Sequence, residues 1–387
     1  MQKTNVTGKP LSRIDGHLKV TGKARYAAEF NQSQMAYAFP VRSTIGKGTI
    51  TAIDAGAAKS AGGVLNVITH ENAMRLKELK NPMELFMVGG LLGENLSPLQ
   101  DNKVHYFGQY IALVVAETCE QARTAAEMVK VTYAKEPIAV ELEKELPKGF
   151  KPQQMFGEKV QINEGKTANL INAAPVKIEQ TYTTSTENHH PMEPHATVAV
   201  WETDDKLLLY DATQGVKGVQ GVASFFFGLE SDNVKVMSPF VGGGFGCKGG
   251  QWANILLAAM AAKEVKRPVK FALTRQMMVT NVGRRAETIQ KVALAADRNG
   301  KLTAIRHHNE TYTNLTDFFE HHVPVNLDVP PIDVHFIGKP DRHISPIGAR
   351  GIGEIGITGV AAAVANAVFN ATGVRLRDLP LTPDKLI

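Results

Sequence analysis

The chain has 387 residues, of which 43% are hydrophobic and 21% charged, an ordinary composition for a globular protein with two or three domains. Its net charge of +5 is small for this length, and basic residues are scattered among acidic ones, so nucleic acid is not an expected partner. Two cysteines without a C-x-x-C pair do not support a disulfide framework or a protein-ligated iron–sulfur cluster.

The same data bear on location. Low cysteine use fits a reducing compartment, so the cytoplasm is the expected location. The N-terminus has no apolar core run, and export to the periplasm would therefore need a signal-bearing partner. No segment is long and apolar enough to span a bilayer, so no membrane partner is expected.

The first predicted domain covers residues 1–137. An apolar run at residues 111–116 predicts a buried strand, and Thr118 with Gln121 forms a capping-box pattern for the helix that follows. Residues 131–133 return as a strand, which predicts a strand–helix–strand unit. Residues 138–151 are rich in Glu, Lys and Pro and are the predicted linker.

The second predicted domain covers residues 152–320 and mixes strands with helices. Strands are predicted at residues 176–183, 196–201, 207–210, 234–237 and 268–273, and helices at 219–227 and 255–265. A hairpin over residues 289–307 is expected to turn at Asn299 and Gly300. Regular patterns are lost over residues 314–331.

The last predicted piece of the chain covers residues 321–387. It holds a strand at 334–337 and a helix at 355–370 that is followed by Gly373.

Two glycine-rich segments each precede an alanine-rich helical stretch. The first glycine segment is residues 241–248 (VGGGFGCK), and the second glycine segment is residues 348–354 (GARGIGE). Glycine has no Cβ, so backbone N–H groups in such segments can approach a bulky anionic cofactor closely. The two segments therefore predict a cofactor enzyme.

The first glycine segment leaves other interpretations open. Residues 244–249 match G-x-G-x-x-G, but basic residues stand where a dinucleotide-binding fold needs an acid to hold the ribose. Cys247 separates Gly246 from Lys248, which excludes a phosphate-binding Walker loop. A nucleotide-binding enzyme and a glycine-rich turn without a ligand remain the alternatives.

Glu354 is the candidate catalytic residue of the second glycine segment. Burial would raise the pKa of its carboxyl group and the adjacent helix N-terminus would lower it, a balance that suits a general base. The alternative is a first-turn glutamate that only interacts favourably with the helix dipole.

Three histidines and a glutamate cluster within residues 189–195, but no second ligand run lies at a recognised spacing, so no metal site is predicted. Glu193 and His195 are instead expected to hydrogen-bond a buried turn. Gln214 ends a predicted strand, where its amide can contact an oxo or phosphate group or serve a surface turn.

Taken in order, several segments resemble the large, molybdopterin-binding subunit of the xanthine dehydrogenase and aldehyde oxidase family, and its periplasmic-type aldehyde oxidases in particular. They are residues 13–16 (RIDG) with 21–26 (TGKARY), 192–196 (MEPHA), 213–214 (TQ), 239–246 (PFVGGGFG) and 348–354 (GARGIGE). The resemblance implies an α+β fold. An α/β-hammerhead domain over residues 1–137 would be followed by part of the first molybdopterin-binding domain (152–320) and the C-terminal piece of the second (321–387).

The resemblance also implies a molybdenum hydroxylase that oxidises aldehydes or N-heterocycles with water as the oxygen source. Its cofactor would be molybdenum–molybdopterin in the cytosine dinucleotide form, and electrons would leave through 2Fe-2S clusters and FAD on partner subunits. Glu354 would be the catalytic base, and no side chain would ligate the molybdenum. The residues implied to contact the metal's oxo side or the pterin are Gln214, Gly243, Gly244, Phe245, Gly246, Arg350, Gly351, Ile352 and Gly353.

The chain departs from this family in length. Family members are much longer, and the missing part is expected near residues 314–321. An Arg-Ala-Pro-Gly substrate-side motif and two further cofactor loops are absent from the sequence. A non-catalytic, truncated remnant or assembly subunit that lacks the cofactor is therefore the alternative function.

Overall fold

The computed structural model describes residues 12–80, 84, 87, 90, 93–94, 96–151, 154–155, 158–159, 161, 165–311, 359–379 and 381–386. The second glycine segment and the strand predicted at 334–337 lie outside these residues. The described chain forms two compact units. The first unit contains residues within Met1–Glu136 and His189–Gly283, and the second contains residues within Pro137–Asn188, Arg284–Asp317 and Gly356–Ile387.

The strands and helices are numbered in chain order. The strands are β1 Ala36–Arg42, β2 Gly48–Asp54, β3 Val64–Thr69, β4 Lys103–Val104, β5 Tyr110–Ala116, β6 Lys130–Lys135, β7 Gln154–Met155, β8 Glu158–Lys159, β9 Val176–Thr184, β10 Ala196–Trp201, β11 Leu207–Asp211, β12 Val234–Met237, β13 Val269–Ala272, β14 Thr288–Ala296 and β15 Leu302–Thr311. The helices are α1 Gly16–Val20, α2 Gly56–Lys59, α3 Cys119–Met128, α4 Leu142–Glu145, α5 Thr167–Ala173, α6 Val216–Phe227, α7 Ala253–Val265, α8 Arg275–Thr280 and α9 Val360–Thr372.

A seven-stranded mixed sheet with the order β12-β11-β10-β13-β1-β5-β3 forms the centre of the first unit. β1 pairs with β13 and β11 with β12 in parallel, and the other neighbours are antiparallel. The sheet thus joins strands from both sides of the predicted linker, which local sequence patterns do not indicate. The predicted domain boundaries themselves stay a prediction.

Apolar cores cover both faces of this sheet. β5 is buried at every residue, and its alternating side chains divide between the two cores. Leu113 faces the larger core with α7, whereas Val114 faces the smaller core with α3. The first ten residues of α7 are all buried, because its small alanines let the helix lie close against β10 and β13.

The predicted strand–helix–strand unit needs a correction. β5, α3 and β6 follow each other along the chain as expected, and Thr118 accepts the capping hydrogen bond from the N–H of Gln121. However, β6 pairs with β2 in a separate three-stranded sheet of order β4-β2-β6. β6 cannot join β5, because β1 and β3 already occupy both edges of that strand.

A three-stranded antiparallel sheet of order β15-β14-β9 forms the body of the second unit. The predicted hairpin between β14 and β15 is confirmed: Gly300 has a φ of 83°, and Asp297 accepts backbone hydrogen bonds across the turn. α9 ends at Gly373 in the left-handed conformation, as predicted, but begins at Val360 rather than at residue 355. In the part of the chain that the structure describes, no helix is long and apolar enough to cross a bilayer.

Candidate cofactor-binding site

The first glycine segment forms a long connection between β12 and α7. Its backbone reverses direction through left-handed residues, with φ of 90° at Gly243, 52° at Phe245 and 96° at Gly246. Such φ values favour glycine, and Phe245 adopts one at an energetic cost of about 1 kcal/mol or more. Turns that combine left-handed with ordinary residues can direct neighbouring N–H groups toward one side, an arrangement that binds anions.

Gln214 holds the C-terminal end of the first glycine segment. Its side-chain oxygen accepts a hydrogen bond of 3.1 Å from the N–H of Gly246, and its own N–H donates to the carbonyl of Lys248 at 2.8 Å. The position follows from β11, which ends at Asp211 and places residues 213–214 beside the segment. The sequence predicts that Gln214 contacts an oxo or phosphate group or serves a turn; the structure shows its contacts with the turn, and its contact with a ligand stays a prediction.

Glu193 holds the N-terminal end of the same segment. Its Oε2 accepts a 2.7 Å hydrogen bond from the N–H of Gly242, and its backbone N–H donates to the carbonyl of Gly242 at 3.0 Å. Lys248 Nζ also donates to Glu193 Oε2 at 2.7 Å. The side chain of Lys248 is fully buried and that of Glu193 is 11% exposed, so this ion pair lies inside the protein.

His195 contacts the first glycine segment at the backbone carbonyl of Cys247. Burial, and to a smaller extent nearby Lys248, lowers the pKa of His195 to about 3, so the ring is neutral. Because a carbonyl oxygen only accepts, the ring donates from Nε2 to the carbonyl of Cys247 at 3.2 Å. The prediction that Glu193 and His195 hydrogen-bond a buried turn is confirmed.

Burial also shifts the pKa values of two further acidic groups in this region, Asp211 and Cys247. Burial raises the pKa of Asp211 to about 7, although a hydrogen bond from Thr197 opposes the shift. Burial also raises the pKa of the Cys247 thiol to about 11, and its Sγ donates to the carbonyl of Gly244 at 3.0 Å. Cys247 is therefore a structural thiol and not a nucleophile.

Between the two anchors, the N–H groups of Gly243, Gly244 and Phe245 have no hydrogen-bond partner within the described chain. The Phe245 side chain beside them is 55% exposed. Unpaired N–H groups in a fixed, glycine-rich turn can bind oxo or phosphate oxygens. These residues thus fit an anionic, oxygen-rich cofactor.

The described residues hold no group of three or more His, Cys, Asp or Glu side chains that could bind a metal ion. The donors that the described residues offer a cofactor here are the backbone N–H groups of residues 243–245 and the Gln214 amide.

The structure tests the nucleotide alternative through the position of the G-x-G-x-x-G match. β12 ends at Met237, seven residues before Gly244, and α7 begins at Ala253, four residues after Gly249. In a dinucleotide-binding unit the glycines make the tight turn from strand to helix, and the helix N-terminus receives the pyrophosphate. The geometry here differs, so the match carries no nucleotide assignment.

The structure thus brings together Gln214, Gly243, Gly244, Phe245 and Gly246 at one place. The other predicted site residues, Arg350, Gly351, Ile352, Gly353 and Glu354, lie outside the described residues. The sequence interpretation missed Lys248 as part of the site. The available signal was a lysine inside an otherwise small and apolar segment, which requires a buried acidic partner.

Comparison with known families agrees with this architecture. Residues 21–137 match the a/b hammerhead domain of aldehyde oxidase and xanthine dehydrogenase, and residues 149–326 match the molybdopterin cofactor-binding domain.

Individual relatives carry the same description. The chain is 41% identical over 305 residues to the aldehyde oxidoreductase molybdenum-binding subunit PaoC of Escherichia coli K12, covering 78% of this chain and 39% of PaoC. It is 29% identical over 272 residues to the putative xanthine dehydrogenase molybdenum-binding subunit XdhA of the same organism, covering 68% of this chain and 36% of XdhA. The chain thus spans about two fifths of the length of these curated relatives.

Solved structures share the fold. Aldehyde oxidoreductase from Desulfovibrio gigas matches with a TM-score of 0.62 and 25% identity, over 77% of this chain and 33% of that one. Quinoline 2-oxidoreductase from Pseudomonas putida 86 matches with a TM-score of 0.66 and 23% identity, over 79% of this chain and 39% of that one, and supports the fold alone. The predicted α+β class and the hammerhead followed by a molybdopterin-binding region are confirmed. The chain belongs to the xanthine dehydrogenase and aldehyde oxidase family.

Proposed function

We propose that this chain is the catalytic portion of a molybdenum hydroxylase that oxidises aldehydes or N-heterocycles, with water as the oxygen source. The observation that carries the proposal is the first glycine segment. It is anchored at both ends by side chains and leaves three N–H groups for an anionic ligand. The family match over residues 149–326 identifies molybdopterin as the cofactor type that suits such a segment.

When bound, the molybdenum cofactor would supply an oxidising metal centre at which oxygen from water is transferred to the substrate. The chain's own residues would position it: the N–H groups of residues 243–245 bind oxo oxygens, and the Gln214 amide fixes the turn that presents them. Arg350 and the glycines after it would contact the pterin through backbone N–H groups. Glu354 would accept the proton of the attacking water at its carboxylate.

The form of the cofactor, the partner subunits and the location are proposed from the resemblance to the family. The cofactor would be the cytosine dinucleotide form, and an iron–sulfur subunit and an FAD subunit would carry the electrons away. The chain would work in the cytoplasm, or in the periplasm after export together with a signal-bearing partner.

The first test is the molybdenum content of the purified chain, measured by mass spectrometry after expression with molybdate, together with the fluorescence of oxidised pterin. We expect both signals, and oxidation of an aromatic aldehyde with a dye as electron acceptor. Molybdenum at background level in a folded chain would contradict the proposal.

The second candidate function is a non-catalytic, truncated remnant or an assembly subunit that lacks the cofactor. The observation that bears on it is that the chain spans about two fifths of the length of PaoC. This candidate predicts a folded chain that contains no molybdenum but co-purifies with iron–sulfur or FAD subunits of this enzyme class.

A further inference from the structure

Lys248 connects the two anchors of the first glycine segment. Its ammonium group pairs with Glu193 Oε2, which also accepts from the N–H of Gly242. Its backbone carbonyl accepts from the N–H of Gln214 at 2.8 Å and from Thr213 Oγ1 at 3.3 Å. One residue therefore holds both ends of the turn that exposes the unpaired N–H groups.

The Glu193 side of this arrangement is itself fixed. Pro191 and Pro194 restrict the backbone on both sides of Glu193. Arg275 donates to the carbonyl of Pro191 at 2.7 Å and to that of Met192 at 3.0 Å. At Gly242 the two backbones are so close that a Cβ would lie 2.6 Å from the Cβ of Glu193. The ion pair thus joins the glycine segment to a rigid support.

A buried ion pair is not needed for stability alone. Removing two charges from water opposes folding, and a neutral pair of similar volume is often equally stable. The hydrogen bonding of the Glu193 carboxylate is also incomplete, because its buried Oε1 has no hydrogen-bond partner among the described residues. The directional contacts of Glu193 Oε2 suggest a different purpose, which is to define the position of Gly242 and of the N–H groups that follow.

We propose that Glu193 and Lys248 are positioning residues whose buried ion pair holds the N–H groups of residues 243–245 in the arrangement that receives the cofactor's oxygens. The inference rests on the proposed function for the identity of the ligand. The ordering of the segment by the ion pair is independent of that function and can be measured without the cofactor.

The experiment compares amide hydrogen exchange of the wild-type chain with that of the double variant Glu193→Gln/Lys248→Met. This variant removes both charges, keeps an acceptor for Gly242 and leaves no buried charge unpaired. Lys248→Met alone serves as a second variant. Arg267→Met is the matched control, because it breaks the partly exposed Arg267–Glu117 ion pair elsewhere in the first unit.

We expect hydrogen exchange of the bonded amides of Gly242, Gly246 and Cys247 to become at least about tenfold faster in the double variant. The variant loses the hydrogen bond between Lys248 and Glu193, and loss of one good hydrogen bond corresponds to about a tenfold change. Exchange in α7 and the melting temperature should stay near wild type, and Arg267→Met should leave the segment unchanged. Molybdenum per chain should fall by a similar factor. Unchanged exchange in the segment, or acceleration that extends equally through α7, would overturn the inference.

Failure of the proposed function and failure of the positioning role give different results. If wild-type protein contains no molybdenum while the segment still loosens in the double variant, the proposed function fails and the positioning role stands. If wild-type protein contains molybdenum and the double variant keeps both its molybdenum and its slow exchange, the positioning role fails alone.

Discussion

The amide of Gln214 lies against the α-carbon of Gly244 so closely that a Cβ at Gly244 would be 2.5 Å from Gln214 Oε1 and 2.6 Å from Cδ. No real Cβ tolerates such distances, so the absence of a side chain at Gly244 is what allows Gln214 to reach Gly246. The glycine here serves close packing of a neighbouring side chain, while its own N–H stays available.

We therefore expect Gly244→Ala to displace Gln214 and to lose its hydrogen bond to Gly246, which is worth about 1 kcal/mol. Molybdenum per chain should fall about fivefold, because a loss of about 1 kcal/mol lowers a binding constant by about that factor. Gln214→Ala should have the same effect, and the double variant should be no worse than Gln214→Ala, because the clash then disappears. Metal analysis of the three variants measures this coupling.

Gly215→Ala is the matched control, because a Cβ at Gly215, next to Gln214, would meet nothing within 4 Å. It should retain wild-type metal content. Losses for Gly244→Ala and Gln214→Ala that simply add would show that the two residues act separately.

Phe245 offers a second prediction, since it combines a left-handed φ of 52° with a side chain that is 55% exposed. Phe245→Ala and Phe245→Gly both remove the side chain, but only glycine relieves the backbone strain. We expect Phe245→Gly to be more stable than Phe245→Ala by about 1 kcal/mol, measured by chemical unfolding. Both should bind the cofactor more weakly if the ring contacts it. A glycine variant less stable than the alanine variant would contradict the strain assigned to Phe245.

Asp211 predicts a specific pH dependence. Its folded pKa of about 7 lies above the ordinary value of 3.8, so the folded state keeps a proton that the unfolded state has already released. The contribution of Asp211 to stability is therefore full below pH 3.8 and is lost as the pH rises toward 7. Asp211→Asn does not titrate, and its stability relative to wild type should rise by up to about 1.4 kcal/mol per pH unit across this window.

Unfolding of both proteins between pH 5 and 8.5 measures the difference. His195 and Glu94, whose pKa values are also shifted by burial, are present in both proteins, so their titration cancels in the comparison. The difference should grow up to about pH 7 and then level off. A difference that does not vary with pH would show that Asp211 is already ionised in the folded protein.

The features that the sequence predicted well are those decided by near neighbours. The capping box of Thr118 and Gln121, the hairpin turn at Gly300 and the left-handed cap at Gly373 each depend on residues no more than a few positions apart. Local conformational preference is strong at such places, so a single sequence is sufficient to identify them.

The parts that escaped prediction depend on contacts between distant residues. Lys248 and Glu193 are 55 positions apart, and although the small, apolar segment around Lys248 indicates that its ammonium group needs an acidic partner, nothing near it identifies Glu193 as that partner. Likewise β6 reads as a strand, but its pairing with β2 is decided by which edges of β5 are already occupied. Position in a sheet and burial of a charge are tertiary properties, which periodicity does not encode.

The proposed base, Glu354, gives the most direct test of catalysis. Glu354→Gln keeps the size of the side chain and its ability to hydrogen-bond but cannot accept a proton. General base catalysis contributes about 10²- to 10⁴-fold to a rate, so turnover of an aldehyde with a dye acceptor should fall by at least about 10²-fold. Molybdenum per chain should stay at the wild-type value, because the assigned role is proton transfer and not cofactor binding. Glu264→Gln, on the exposed surface of α7, is the matched control and should retain full activity. Retained turnover in Glu354→Gln would refute the base assignment, and loss of turnover together with molybdenum would instead make Glu354 part of the cofactor's support.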